Sequence, residues 1–374
     1  MKVGVVGSGA MGSGIAQIAA TAGHEVLIYD NNPDALSRSK AKLAKIMARL
    51  VEKGRLSDSD ATDIQSRITY IDSIYNFRDT GLVIEAIVER LDIKKAVFEQ
   101  LEDVLGDDAI LATNTSSLAV AAIASACQRP ERVLGLHFFN PAPLMALVEV
   151  VPAVQTDQSI LERCFQLMKD WNKVHVNAKD TPWYIVNRVA RPFYGEALRI
   201  MEEGLADAPT IDWIMTEMGG FRMGPFTLMD YIGHDVNYKV TETVFAAFYY
   251  DPRYKPSFAQ QRLVDAGYLG RKSGRGFYNY AEGMERPIPL SDHPNAQQLL
   301  HRILVMLINE AADALYYNVA SRDDIDLAMT KGVNYPKGLL AWADELSLPY
   351  VVEQLDALHH KYLEDRYRCS PLLR

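Results

Sequence analysis

Residues 2–30 read KVGVVGSGAMGSGIAQIAATAGHEVLIYD, and this stretch decides the fold of the first half of the chain. A short apolar run is followed by the glycine turn GSGAMG, an apolar helical pattern, a second apolar run and Asp30. Strand, glycine turn, helix, strand and acid in this order are typical of a dinucleotide-binding unit. Gly7 allows the tight turn, Gly9 lets the backbone approach a pyrophosphate, and Gly12 lets the helix pack closely on the strand.

The helix that opens at this turn directs its free N–H groups and its positive dipole end toward phosphate groups. We expect the turn to contact a dinucleotide through Gly7, Ser8, Gly9, Ala10, Met11 and Gly12. Asp30 ends the second strand, where its carboxylate can accept hydrogen bonds from both adenosine ribose hydroxyls. The same charge would repel a 2′-phosphate, and no arginine follows in residues 31–33, so NAD is favoured over NADP.

Composition limits the class of protein. The chain has 374 residues, 48% hydrophobic and 23% charged, which is ordinary for a globular protein of two or three domains. Its net charge of −9 argues against a general nucleic-acid or anionic-membrane surface. No apolar run approaches the roughly 20 residues of a membrane span, and because the chain begins directly in a strand we expect no leader peptide. The scattered Cys127, Cys164 and Cys369 lack metal-ligand spacing, so we expect inert thiols, no metal site and a cytoplasmic location.

Short apolar runs alternate with amphipathic stretches through the first half of the chain. After the second strand these runs are residues 82–88, 110–113, 133–138, 147–151 and 174–178. The alternation predicts a mostly parallel sheet covered by helices on both faces. From Pro182 onward strand signals nearly vanish, and we expect helices over residues 184–203, 210–217 and 226–248. The prediction is a Rossmann-type α/β domain over residues 1–182 and an all-α domain over residues 183–280.

An internal repeat follows a linker predicted over residues 281–294, AEGMERPIPLSDHP. Four pairs of identical residues share one offset of 114: Glu196 and Glu310, Ile211 and Ile325, Gly224 and Gly338, and Asp230 and Asp344. Arg253-Tyr254 matches Arg366-Tyr367 with the offset slipped by one. Residues 295–374 are therefore expected to be a second, truncated copy of residues 183–280. A helical unit with one apolar face must bury it, and a tandem copy is a natural partner.

A candidate proton-transfer pair lies in residues 134–151, LGLHFFNPAPLMALVEVV. His137 ends one apolar run and Glu149 lies in the next, with a proline-containing turn between them. If the runs are adjacent strands, the turn brings the two side chains into contact. A carboxylate on one ring nitrogen fixes the tautomer and leaves the other nitrogen to exchange a proton with substrate. A histidine near a strand end is more often structural, so this pattern alone does not establish catalysis.

Two further polar clusters admit two interpretations each. Asn114, Thr115, Ser116 and Ser117 follow the run at residues 110–113, at the sheet edge where ligands bind. They could orient a substrate and the nicotinamide, and one of them could N-cap a helix beginning near Leu118. The helix after Asp30 carries a basic stripe, Arg38, Lys42, Lys45, Arg49 and Lys53. The stripe could attract a phosphorylated substrate or be an ordinary solvated face.

Several segments occur in a fixed order along residues 1–280: GSGAMG with Asp30, EAIVER, NTSS, GLHFFNPAPLM with LVEVV, DTP with IVNR, MGPF with LMDYIG, and GRKSGRGFY. This set resembles the L-3-hydroxyacyl-CoA dehydrogenase family. With its added copy the chain is similar to the longer bacterial members, which include 3-hydroxybutyryl-CoA and 3-hydroxyadipyl-CoA dehydrogenases. The resemblance implies an NAD-binding Rossmann domain followed by two tandem all-α domains of the 6-phosphogluconate-dehydrogenase C-terminal type.

The resemblance also implies roles for individual residues. His137 would be the acid and base and Glu149 its partner, while Ser116 and Asn187 would contact the substrate around its 3-oxygen and thioester. Lys53, together with Ser116, would contact the CoA part of the substrate, Lys53 at a phosphate. Besides the glycine turn and Asp30, the residues implied around NAD are Glu89, Lys94, Asn114, Ser116, Asn140 and Lys272.

The chain departs from the family pattern in two places. Trp183 stands where the family has the glycine of DTPGF, and Ala146 stands where a lysine is common. Either change could reshape the acyl end of the pocket or simply repack a hinge. The second copy has His301 at the position of Asn187 and no segment like GRKSGRGFY, so we expect it to have no site of its own.

These observations predict reversible, NAD-dependent oxidation of an L-3-hydroxyacyl-CoA, with a short-chain substrate such as 3-hydroxybutyryl-CoA. One alternative is a 3-hydroxyadipyl-CoA dehydrogenase of phenylacetate degradation. Alternatives of another class are a hydroxy-acid dehydrogenase that does not use CoA and a non-catalytic NAD-binding protein. The second copy could occupy the surface through which two-domain relatives dimerise. We therefore expect a monomer with an internal pseudo-dimer of helical domains, or a homodimer, with no nucleic-acid or membrane partner.

Overall fold

The computed structural model describes residues 1–374, and the chain divides into two compact units, Met1–Tyr184 and Ile185–Arg374. The first unit is an α/β unit with one sheet. Its strands are β1 Lys2–Val6, β2 Glu25–Tyr29, β3 Ile68–Ile71, β4 Leu82–Glu85, β5 Ile110–Thr113, β6 Val133–Phe138, β7 Leu147–Pro152 and β8 Val174–Asn177. Its helices are α1 Ala10–Thr21, α2 Pro33–Glu52, α3 Asp58–Ser66, α4 Leu91–Val104, α5 Val120–Ala124 and α6 Gln158–Asp170.

The eight strands form one sheet in the order β3-β2-β1-β4-β5-β6-β7-β8. All neighbouring pairs are parallel except β6 and β7, which are antiparallel, so the predicted mostly parallel sheet is confirmed. The run predicted over residues 82–88 is a strand only as far as Glu85. There the chain turns, and the Ile87 amide donates to the Glu85 carboxylate at 2.7 Å.

The glycine turn between β1 and α1 has the conformation that its sequence predicts. Gly7 has a φ of +101°, which favours glycine. A Cβ on Gly12 would overlap the carbonyl oxygen of Gly7, whereas a Cβ on Gly9 would meet no atom within 4 Å. Gly12 is therefore required for close packing and Gly9 leaves space on the open side of the turn. The core of this unit lies between the sheet and helices that include α1, α2, α3 and α6.

The second unit is helical, as predicted. Its helices are α7 Val186–Val189, α8 Arg191–Glu202, α9 Ala208–Trp213, α10 Pro225–Ile232, α11 His234–Ala247, α12 Phe258–Asp265, α13 Ala296–Tyr316, α14 Arg322–Gly332, α15 Leu339–Leu346 and α16 Leu348–Tyr362. The long helix α13 is the centre of this unit, with most of its residues buried and packed against α8, α15 and α16. Residues 281–294 contain no helix or strand.

Two of the predicted helices are each divided. The helix predicted over residues 226–248 breaks into α10 and α11 at Gly233, whose φ is +99°. The segment predicted over residues 184–203 breaks into α7 and α8 at Ala190, just before Pro192 in the first turn of α8. Proline lacks the N–H that would continue the hydrogen-bond ladder, so it is accommodated at a helix start. No helix in the chain is both long enough and apolar enough to cross a membrane.

Candidate active site

His137 and Glu149 lie directly opposite each other in the antiparallel pair of β6 and β7. The Nδ1 atom of His137 is 2.6 Å from Oε2 of Glu149. The contact is the one expected from two adjacent strands joined by a turn. Both side chains are buried, His137 at 5% exposure and Glu149 at 0%. Burial removes competing water, so the carboxylate acts on the ring in a medium of low dielectric constant.

Two aromatic rings enclose the imidazole. Phe139 lies with its ring centroid 4.5 Å from that of His137, and Tyr184 lies at 5.7 Å. The Tyr184 hydroxyl donates to the backbone oxygen of Leu118 at 3.3 Å. Burial raises the pKa of Tyr184 well above its usual value, so the phenol stays protonated beside the histidine. Tyr184 was not among the residues inferred from the sequence, because an aromatic residue after a predicted strand has no distinctive pattern.

The polar turn after β5 is held by Glu89. Its Oε1 atom accepts hydrogen bonds from the Thr115 hydroxyl, from the Ser116 amide at 3.1 Å, and from the Ser117 amide and hydroxyl at 3.2 and 2.9 Å. Asn114 accepts from the Phe138 amide at 2.8 Å and so ties this turn to the strand that carries His137. The Ser116 hydroxyl is the one in the turn that makes no hydrogen bond within the chain. It remains free to bind a ligand.

The helix after this turn is not capped by the turn itself. The amides of Val120 and Ala121, at the start of α5, donate to the two carboxylate oxygens of Asp180 at 2.9 and 2.8 Å. The Thr115 hydroxyl accepts the Ser117 and Leu118 amides, both of which precede the first helical residue, Val120. The expectation that a residue of NTSS caps this helix is therefore wrong. Asp180 is 60 residues away in sequence, and local pattern could not identify it.

Lys94 has a different environment from the one that the resemblance implies. Its ammonium lies 2.6 Å from Glu85 and 3.3 Å from Glu89, and the side chain is 1% exposed. Burial by itself would raise the pKa of Glu89, but Lys94 and the hydrogen bonds from the turn outweigh burial and hold the pKa below its usual range. In this structure Lys94 holds Glu89 in place, and its charge is not open to a cofactor.

The residues around the glycine turn fit a bound dinucleotide. Helix α1 has no side-chain cap at its N-terminus and no acid in its first turn. Its first amides are therefore free for phosphate oxygens. Asp30 is fixed at the end of β2, where its carboxylate accepts from the Ser8 amide and hydroxyl, both at 2.8 Å, and from the Asn32 amide at 3.0 Å. The Ser8 hydroxyl thus donates its hydrogen to Asp30 and orients that acid, so it has only its lone pairs to offer a cofactor.

A cavity of about 600 Å³ lies between α1, α2 and residues 140–144. Four basic side chains line it: Lys42, Arg49, Lys53 and Arg55. None of the four makes an ion pair in the chain. Two members of the predicted basic stripe, Arg38 and Lys45, do not line the cavity. Arg55, which follows α2 in sequence, lines the cavity but was not part of the predicted stripe. Asn140 and the apolar Ile46 also line the cavity, so it joins unpaired positive charge to apolar surface.

Two of the inferred residues, Asn187 and Lys272, belong to the helical unit. Asn187 lies in α7, where it is the one partly exposed residue of 183–190, and its side-chain amide makes no hydrogen bond within the chain. The Lys272 ammonium pairs with Asp235, with Nζ to Oδ2 at 2.7 Å. Both side chains are accessible on the helical unit, and the Lys272 charge is already partly neutralised.

The first unit thus combines an uncapped helix N-terminus after a glycine turn with a buried histidine–carboxylate pair on one mostly parallel sheet, the arrangement expected of a dinucleotide-binding domain. The family model described as 3-hydroxyacyl-CoA dehydrogenase, NAD binding domain, matches residues 2–181. The model for the C-terminal domain of the same family matches residues 184–280 and 299–374. The chain belongs to the 3-hydroxyacyl-CoA dehydrogenase family and is an NAD-dependent oxidoreductase that acts on a CH–OH group.

Three relatives illustrate the range of the family. The protein of Escherichia coli (strain K12) named 3-hydroxyadipyl-CoA dehydrogenase is 38% identical, and the alignment covers 100% of this chain and 96% of that protein. The crystal structure of 3-hydroxybutyryl-CoA dehydrogenase from Escherichia coli K12 has a TM-score of 0.96 at 37% identity and covers 100% of this chain and 97% of its own. The 3-hydroxybutyryl-CoA dehydrogenase of Clostridioides difficile is 39% identical over 75% of this chain and 99% of its own length.

Proposed function

We propose that the chain interconverts a short-chain L-3-hydroxyacyl-CoA, such as 3-hydroxybutyryl-CoA, and its 3-ketoacyl-CoA, with His137 as the acid and base. The 2.6 Å contact between His137 Nδ1 and Glu149 Oε2 carries this proposal. With Nδ1–H donating to the carboxylate, Nε2 keeps a lone pair that can remove the proton of the 3-hydroxyl group. Glu149 then stabilises the imidazolium that forms. NAD bound at the glycine turn supplies the acceptor for the hydride that leaves C3.

Ser116 and Asn187 are proposed to orient the substrate around its 3-oxygen and thioester. Thr115 and Ser117 have hydroxyls that are occupied by Glu89, which leaves Ser116 as the free hydroxyl of the turn. Asn187 likewise has a free and partly exposed amide. A free hydroxyl and a free amide are groups that can donate to oxygens of the substrate without breaking a bond inside the protein.

The CoA part of the substrate is proposed to bind at the basic cavity, with Lys53 at a phosphate. Lys42, Arg49 and Arg55 line the same cavity and have no carboxylate partner. Unpaired cations beside apolar surface suit a ligand that carries several phosphates and an apolar portion. This cavity is the observation that favours a CoA thioester over a hydroxy acid without CoA.

The acyl group is tested by comparing substrates in the reducing direction. We expect a higher kcat/KM with acetoacetyl-CoA than with longer 3-ketoacyl-CoAs or with 3-oxoadipyl-CoA, measured by NADH absorbance. One observation favours a dicarboxylic substrate: the Escherichia coli relative named 3-hydroxyadipyl-CoA dehydrogenase aligns along the whole chain. A preference for 3-oxoadipyl-CoA of about tenfold or more would establish that alternative. Reduction of free keto acids but of no CoA thioester would overturn both.

We further propose that the helical unit consists of two copies, residues 183–280 and 295–374, related by a pseudo-two-fold axis. Two reciprocal ion pairs support this. Arg188 donates to Glu310 at 2.6 Å, and Arg302 donates to Glu196 at 3.0 Å. Arg302 lies 114 residues after Arg188, and Glu310 lies 114 residues after Glu196. Reciprocal pairing of this kind is what an isologous interface between two like subunits produces.

The same relation holds at the helix starts. The Asp212 carboxylate accepts the amides of Phe226 and Thr227 at the beginning of α10, both at 2.8 Å. The Asp326 carboxylate accepts the amides of Leu340 and Ala341 at the beginning of α15, at 2.8 and 2.9 Å. Every member of the second set lies 114 residues after its counterpart, so the repeat extends to individual hydrogen bonds.

The packing of the two copies bears on oligomeric state. The reciprocal pairs are buried inside one chain, so the surface that an identical subunit would cover is already covered. We propose that the protein is a monomer with an internal pseudo-dimer of helical domains. A homodimer would then require a different surface.

A cytoplasmic location is also proposed. All three cysteines are unpaired and buried. Burial raises the pKa of Cys127 and of Cys164 to about 12, so both thiols stay protonated and unreactive. Unpaired thiols without disulfides are usual in a reducing compartment.

A further inference from the structure

Arg188 directly follows Asn187 in the short helix α7. Its side chain is buried, with Nε 2.6 Å from the Glu310 carboxylate and the guanidinium over the Phe248 ring at 5.1 Å from the ring centroid. Glu310 belongs to α13, in residues 295–374, and is 1% exposed. The second copy therefore contacts, through one buried charge pair, the residue next to Asn187.

The two reciprocal pairs are not equivalent in their surroundings. Arg302 has two carboxylates, Glu196 at 3.0 Å and Glu203 at 2.8 Å. The residue 114 positions after Glu203 is Tyr317, so the repeat supplies no second carboxylate for Arg188 at that position. Arg188 has Glu310 as its single carboxylate partner. The orientation of Arg188 therefore depends on one side chain of the second copy.

Helix α7 cannot fix its own orientation. It has only four residues, Val186–Val189. One turn of helix is not stable by itself, so tertiary contacts must hold it. It packs against α13 and α14, both in the second copy. The buried pair of Arg188 and Glu310 is the charged part of this packing, and it acts one residue away from the free amide of Asn187.

We propose that Glu310 is a positioning residue for turnover: the second helical copy, through the pair of Glu310 and Arg188, fixes the direction in which α7 presents Asn187 to the substrate. The proposal rests on the substrate-orienting role given above to Asn187. The second copy thus supports the segment of the first copy that carries Asn187, although we expect it to have no site of its own. Removal of one partner from a buried charge pair leaves the other uncompensated, and the surrounding segment must move to solvate it.

The pseudo-symmetry provides a matched control. Glu310→Gln and Glu196→Gln remove the same charge from the two reciprocal pairs, but only the first lies next to Asn187. For Glu310→Gln we expect kcat with acetoacetyl-CoA to fall roughly 10- to 100-fold, because small displacements of an orienting group cost that much. The affinity for NADH should be unchanged, since the NAD turn belongs to the other unit. Glu196→Gln should keep kcat and KM within about twofold of the wild type, as expected for an exchange far from a functional site. Equal effects of the two substitutions would overturn the proposal.

A double variant separates positioning from general destabilisation. If Glu310 acts through Asn187, adding Glu310→Gln to Asn187→Ala should cause no further loss of kcat. Losses that multiply would show that Glu310 acts by another route, and the proposal would fall. If Glu310→Gln does not fold, as judged by circular dichroism, Glu310→Asp replaces it. That change keeps the charge and shortens its reach by one methylene, with Glu196→Asp as control.

The outcomes also distinguish this inference from the proposed function. Wild-type turnover of acetoacetyl-CoA that is lost in His137→Gln supports the proposed chemistry whatever the Glu310 variants do. Wild-type kinetics in Asn187→Ala would overturn the role of Asn187 and the inference built on it, while leaving the pair of His137 and Glu149 in place.

Discussion

At the scale of single residues, one contact distinguishes the two nitrogens of His137. Nδ1 is bonded to Glu149, and the proposed function assigns proton exchange to Nε2. Replacement by glutamine keeps a similar size but removes the group that can take up and release a proton near neutral pH. For His137→Gln we expect turnover of acetoacetyl-CoA to fall by roughly 10²- to 10⁴-fold. NADH affinity, followed by fluorescence titration, should change little, since the glycine turn is untouched. Near-normal turnover would contradict the assignment.

The two glycines of the NAD turn should respond differently to the same added methyl group. A Cβ on Gly12 overlaps a backbone oxygen, whereas a Cβ on Gly9 meets nothing within 4 Å. We expect Gly12→Ala to lower the thermal midpoint of the protein without ligand. Gly9→Ala should leave that midpoint unchanged and weaken NADH binding, because the methyl group occupies the space where a pyrophosphate approaches. A Gly9→Ala variant with wild-type NADH affinity would argue against this site for the pyrophosphate.

At the scale of helices and strands, two equivalent aspartates accept the first amides of α10 and α15, and they differ in how many further hydrogen bonds they accept. Asp326 accepts two backbone amides. Asp212 accepts two amides and in addition the Tyr278 hydroxyl at 2.8 Å and the Thr227 hydroxyl at 2.7 Å. Asp326→Ala should cost about 1 kcal/mol of unfolding free energy, as does the loss of a side chain that caps a helix N-terminus. Asp212→Ala should cost about 2 kcal/mol or more, since it also leaves a buried phenol without an acceptor. Urea unfolding of both variants tests this order, and a smaller cost for Asp212→Ala would contradict it.

At the scale of the whole molecule, the reciprocal pairs of Arg188 with Glu310 and of Arg302 with Glu196 already occupy a dimer-like interface within one chain. Multi-angle light scattering should therefore give the mass of a single chain across a range of concentrations. A stable dimer would mean that another surface associates. A dimer that dissociates on mutation of the α8 face would contradict the internal pseudo-dimer itself.

The same network makes the helical unit sensitive to acid. Burial by itself would raise the pKa of Glu310, but Arg253 and Arg188 outweigh it and hold the pKa below its usual range. An acid with a lowered pKa adds stability above its ordinary value of about 4.3, and this stability is lost as the pH falls toward the folded-state value. Thermal midpoints should therefore fall as the pH drops below about 4.3. Glu310→Gln should show a shallower dependence, and an unchanged slope would contradict the assignment.

How far the sequence predicts the site depends on how local each contact is. The pair of His137 and Glu149 was predictable because a short turn joins two adjacent strands and sets their register. The open end of α1 was predictable from the spacing of three glycines. The cap of α5 by Asp180, the burial of Lys94 beneath Glu89 and the break at Gly233 were not. Asp180 lies 60 residues from the amide that it caps. The burial of Lys94 and the backbone angle at Gly233 depend on how their segments pack in the folded chain.

By itself the sequence determined the dinucleotide turn, the preference for NAD implied by Asp30, the contact between His137 and Glu149 and the identical residues that recur at one offset. These follow from short-range geometry and from residue identities that recur at one offset. Only the tertiary structure decided which hydroxyl of NTSS is free, which members of the basic stripe face a cavity, and how the repeat pairs Arg188 with Glu310. Those outcomes depend on which side chains meet after distant segments pack, and burial then sets the strength of each charge and hydrogen bond.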